Sequence, residues 1–109
     1  MTKHSPEEQQ TLFGIGFYRR DQWQRLLETA VDRTELEDTF DEWKLVLNKS
    51  VKDLRARGVN PMKVDIDLEE LLAWCAGRGF NNTGENRAAF INDLLRQGRG
   101  KKIEKQDLE

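Results

Sequence analysis

Hydrophobic and polar positions change their period at one place along the chain, and that change carries the strongest expectation about the fold. Met62, Val64 and Ile66 alternate with Lys63 and Asp65, the two-residue period of a half-buried strand. From there the apolar positions are Leu68, Leu71, Leu72 and Cys75, which share one face of a helix. Asp67 stands at the switch with Glu70 three residues later, so it is expected to cap that helix. The helix should end at Gly77 or Gly79.

The same reading extends to both sides. Phe13, Ile15 and Phe17 alternate with Gly14 and Gly16, which predicts a short strand whose glycine face is approached closely by another element. A phosphate-cradling reading of Gly14-x-Gly16 lacks the third glycine and the following small-residue turn. A first helix should start near Asp21 and carry Trp23, Leu26, Leu27 and Ala30 as its stripe. Thr34-Glu35-Leu36-Glu37 has the form of a capping box and predicts the next helix start. Leu36, Phe40, Trp43, Leu47, Val51 and Leu54 then recur at spacings of three and four, giving a helix of about 24 residues, roughly 35 Å long. Its acids (Glu35, Glu37, Asp38, Asp41, Glu42) precede its bases (Lys49, Lys52, Arg55, Arg57), as the helix dipole favours. Gly58 and Asn60-Pro61 stop it. Asn81-Asn82-Thr83-Gly84 reads as a turn and cap, and a fourth helix turns Ala89, Phe90, Ile91, Leu94 and Leu95 inward before Gly98.

The expected fold is therefore a helix-rich α+β domain in the order β-α-α-β-α-α, with two short strands near 13–18 and 62–66 and four helices packed on one side. The strands should pair with each other or with a second chain, since two strands leave exposed edges; a homodimer fits that expectation. Residues 1–11 read as a flexible N-terminal segment in which Ser5-Pro6-Glu7-Glu8 could start a helix. Residues 12–97 form a single globular domain, and 98–109 a mobile tail whose last residues, Leu108-Glu109, have the form of a vector scar.

Composition narrows the function classes. A chain of 109 residues makes one domain, with 35% charged and 37% hydrophobic residues. Its net charge of −2 lacks the Lys and Arg excess of proteins that grip nucleic acid through phosphates. No run approaches the roughly 18 apolar residues of a membrane span, and no basic-then-apolar leader is visible. One cysteine, Cys75, permits no internal disulfide and fits a reducing compartment. The expected location is cytoplasmic, with no membrane partner.

Candidate chemistry is sparse. Cys75 lies on a buried stripe and the only histidine, His4, in the N-terminal segment, so a nucleophile and its base are not placed to meet. Asp65, Asp67 and Glu69 alternate and could suit an oxygen-liking cation such as magnesium or calcium, though the capping role explains Asp67 better. Asp38, Asp41 and Glu42 form an ordinary acidic helix face. Trp23 and Trp43 sit on apolar stripes. Trp74 sits at the edge of one, where it covers the core or joins a partner surface. The candidate interaction residues are Trp74, Asp65, Lys63 and Arg87; no catalytic residue, metal ligand or cofactor site is expected.

Two resemblances bear on these residues. The segment Lys63-Val-Asp-Ile-Asp-Leu-Glu-Glu-Leu-Leu72, the loop Arg78-Gly79-Phe80 and the run Asn86-Arg-Ala-Ala-Phe-Ile-Asn-Asp-Leu-Leu-Arg96 resemble a ribbon-helix-helix DNA-binding module over residues 62–97. That resemblance implies a strand paired with its copy from a second chain, with Lys63, Asp65 and Asp67 facing the major groove. Two carboxylates there depart from the pattern, because they would meet a strongly negative surface. Across most of its length the chain is also similar to small uncharacterised bacterial proteins, through Phe17-Tyr18, Trp23, Asp38-x-x-x-Glu42-Trp43, the Val-Asp-Ile-Asp strand, Trp74-Cys75 and Arg87-Ala-Ala-Phe90. This implies a bacterial source and a stable domain and brings no functional residues. The expected function is a small non-catalytic interaction or regulatory protein with a protein partner or a second copy of itself. The alternatives are a ribbon-helix-helix-like DNA-binding regulator or antitoxin, and a carboxylate-metal-dependent enzyme.

Overall fold

A computed structural model of the chain describes residues 13–108. The proposed N-terminal helix start and His4 lie outside the described residues, as does Glu109. The elements are β1 (Gly14–Phe17), α1 (Trp23–Thr29), α2 (Phe40–Ala56), β2 (Met62–Asp65), α3 (Leu68–Arg78), α4 (Gly84–Arg96) and β3 (Gly100–Lys102). Short 3-10 turns stand before α1, before α2 and after β3. The fold is α+β in the expected order, with a third strand added at the C-terminal end.

The strands form one sheet in the order β1-β2-β3. β1 runs parallel to β2, with Gly14 beside Met62 and Phe17 beside Asp65. β3 runs antiparallel on the other side, with Lys102 beside Met62 and Gly100 beside Val64. Alternation then sorts the two faces. On one face Gly14 and Gly16 leave room for α4: a Cβ on Gly14 would stand 2.7 Å from Leu95 Cδ1, and one on Gly16 would stand 2.8 Å from Ile91 Cδ1. This face joins the larger core of Trp23, Leu26, Val64, Ile66, Leu71, Phe90 and Leu94. On the other face Ile15 and Phe17 pack with Leu47 and Val51 of α2 and with Ile103.

The helices therefore do not all pack on one side. β1 exposes large apolar side chains on the face away from α4, and that face needs a cover of its own. α2 supplies it, so the sheet is enclosed between helices. Trp43 touches both cores. Around it Tyr18, Trp23 and Phe40 make edge-on or tilted ring contacts, centroids 5.2–6.1 Å apart.

Helix ends follow their caps, with one correction. α2 begins at Phe40, not at Thr34. The Thr39 hydroxyl accepts the Glu42 N–H at 3.1 Å and donates to the Glu42 carboxylate at 3.0 Å. Arg33–Glu35 form a 3-10 turn, and Leu36 is extended (φ −108°, ψ 147°) and packs against the larger core. Asp67 caps α3 by accepting from Glu70 N–H at 3.2 Å, and Gly79 ends it at φ 68°. Thr83 caps α4.

The residues read as a mobile tail are a second correction. After β3, Ile103 is 3% exposed and belongs to the smaller core, against which Leu108 also packs. The 3-10 turn Lys105–Leu108 lies against α2, where Lys44 donates to the Asp107 carbonyl. Arg55 donates to the Ile103 carbonyl at 3.3 Å. The folded unit thus extends from the first strand to Leu108.

Candidate functional site

The four candidate interaction residues stand in three separate places. Lys63 and Asp65 lie on the α2 face of the sheet. The Lys63 ammonium meets Asp107 at 2.8 Å and Asp65 at 3.6 Å, and stands 5.4 Å from the centre of the Phe17 ring. The Asp107 carboxylate raises the pKa of Lys63, and Lys63 lowers that of Asp107. Lys101 holds Asp65 at 3.0 Å. This pair thus anchors the C-terminal turn to the sheet.

Trp74 covers the core. Its indole N–H donates to Asp93 at 3.2 Å, and its ring meets Phe90 and Phe80 at 5.4 and 5.8 Å. Arg78 stacks over it at 4.2 Å. Arg87 is buried. It makes a two-pronged bond to Asp32 (3.0 and 2.9 Å) and donates to Asn82 Oδ1 at 2.9 Å. Asp32 also accepts the Gly84 N–H at 2.8 Å, and Asn82 donates to the Thr29 hydroxyl at 3.1 Å. The network ties the α1–α2 connection to the start of α4. The Arg87 guanidinium holds the Asp32 carboxyl below its usual range. Nearby, burial pushes the Tyr18 phenol up to about 12, with Arg87 pulling the other way.

The candidate ligands and catalytic groups diverge. Asp65 faces Lys101, Asp67 caps α3, and Glu69 accepts from Arg25 at 3.2 Å. Asp38 pairs with Arg33 and Asp41 with Arg20. Cys75 is buried on α3, and burial pushes its thiol up, away from the reactive thiolate. Among the described residues no three His, Cys, Asp or Glu side chains gather as a metal site. β2 is the central strand, so both its edges are used inside this chain. A two-chain ribbon of the kind implied by the ribbon-helix-helix resemblance needs such an edge left open.

A different place has the features of a binding surface: a groove of about 530 Å³ between β1 and α2. Phe13, Gly14 and Ile15 form one wall; Val46, Leu54 and Arg57 lie on the other, with Trp43 and Leu47 between. Apolar side chains stand exposed here: Phe13 is 44% and Val46 47% exposed. Among the described residues β1 is an edge strand. The Phe13 and Phe17 carbonyls accept from Met62 and Ile66, so the two-residue alternation turns the peptide groups of Gly14 and Gly16 outward. Gly16 is buried, whereas Gly14 is half-exposed along the groove. The opposite edge, β3, carries Lys101 and Lys102, the charges that discourage strand addition; β1 carries none.

The apolar stripes of the sequence do not outline this groove. A signal was present: Val46 is apolar yet falls outside the stripe through Phe40, Trp43, Leu47 and Val51. None of the described helices is long and apolar enough to cross a membrane. No protein-family model, curated protein or solved structure matches this chain.

Proposed function

We propose that this chain is a small non-catalytic interaction protein, and that a protein partner occupies the groove between β1 and α2. The observation that carries this reading is an uncharged sheet edge opening beside exposed apolar side chains. Exposed apolar surface rimmed by polar residues is the usual mark of an interaction site, and an open edge offers backbone hydrogen bonds to an incoming segment. The alternative of DNA reading has less support. Lys63 and Asp65 are engaged with Asp107 and Lys101, and β2 has no open edge.

Selection from a random peptide display library tests the proposal, with binding mapped by amide chemical shifts on labelled protein. The expected result is enriched peptides that shift Phe13–Ile15 and residues 46–57 and lose binding to Val46→Asp. Shifts confined to the Lys63–Asp65 face, or unchanged binding to Val46→Asp, would contradict it.

A further inference from the structure

We infer that the occupant of this groove is an extended segment with apolar side chains and carboxylates at one end, laid across the groove and paired with β1 at Gly14. The inference rests on the groove being the partner site. It adds what kind of chain fits there.

The backbone argument comes first. At the mouth of the groove the Gly14 N–H and C=O point away from β2. An extended segment can present a matching C=O and N–H; a helix uses its own internally. A volume of about 530 Å³ is that of a small-ligand pocket, so it suits a few side chains of such a segment rather than a folded domain.

Charge sets the chemistry of the segment. α2 runs antiparallel to β1, for its C-terminal Leu54 and Arg57 line the groove with Phe13, while its earlier Lys44 stands near Phe17. The one acid on the groove wall, Asp53, is held by Lys49 at 2.9 Å and also lies within the field of Arg57. Arg57 has no ion-pair partner among the described residues. The Phe13 end of the groove therefore offers a guanidinium that no described residue holds in an ion pair, beside apolar surface. A guanidinium fork recognises a carboxylate in two-pronged fashion.

The test uses three ten-residue peptides of alternating valine and threonine, one end carrying two glutamates, two lysines or two glutamines. Each is labelled and titrated by fluorescence anisotropy against the full chain at low and high salt. The glutamate peptide should bind about ten-fold tighter than the lysine peptide, the sum of gained and reversed surface ion pairs. High salt should shrink the difference. Arg57→Gln should remove most of the preference while leaving the glutamine peptide unaffected. Val46→Asp should weaken all three.

Equal binding of the three peptides, all lost in Val46→Asp, would overturn the carboxylate preference and leave the groove as the partner site. Binding of none at millimolar peptide would overturn the extended-strand occupant; the display selection then decides the groove itself. Sedimentation showing a dimer that Val46→Asp dissociates would assign the groove to a second copy and overturn the inference.

Discussion

Arg87 and Asp32 illustrate how much of this molecule is decided between residues far apart in sequence. Arg87 was expected at a surface. It is instead the buried half of a pair whose other half lies 55 positions away, and no local pattern links the two. The pair makes stability depend on acid. Because the folded state lowers the Asp32 pKa, its contribution is fully present above the unfolded value of about 3.9 and is lost as pH falls through the folded value. Asp107, held low by Lys63, has the same sign. Urea midpoints should therefore fall between pH 5 and pH 2, and fall less steeply in Asp32→Asn; identical slopes would refute the Asp32 contribution. Tyr18 works in the opposite direction. It is the sole tyrosine, so its ionisation can be followed at one ultraviolet wavelength. The folded protein should titrate near pH 12 against about 10 in urea. Since the folded pKa is raised, its contribution holds below about pH 10 and drains away toward pH 12. A folded midpoint near 10 would show that the phenol is hydrated.

At the level of elements, the switch of period at Asp67 was legible because strand, cap and helix lie next to one another in the sequence. The glycine face of β1 was legible for the same reason, and α4 packs against it as expected. The start of α2 was not. Thr34 and Thr39 each stand three residues before a glutamate, so the local chemistry of both is the same. Tertiary packing decides between them: Leu36 goes into the core in an extended conformation, and Asp32 is committed to Arg87. Thr39→Ala should cost about 1 kcal/mol in chemical denaturation, whereas Thr34→Ala should stay within about 0.5 kcal/mol. Equal losses would move the helix start back to Thr34.

For the whole molecule, the layering and the third strand were beyond local reading. The α2 stripe shows that the helix buries one face, but not which side of a sheet receives it. The C-terminal stretch has only Ile103 and Leu108 as large apolar residues among charges, too few to show a period, yet both pack against the smaller core. Ile103→Ala should therefore cost about 2–3 kcal/mol, measured by urea unfolding; a loss below about 0.5 kcal/mol would mean that the C-terminal turn does not close this core. The candidate site was missed for a related reason. Val46 looks like noise on a polar helix face until β1 is set beside it with its uncharged edge. That edge is the centre of the functional account, and amide hydrogen exchange at Gly14 tests it most directly. With a saturating peptide from the display selection, exchange at Gly14 should slow at least about ten-fold, because its N–H becomes paired to an added strand. Unchanged exchange at Gly14 in the saturated complex would contradict strand addition at β1.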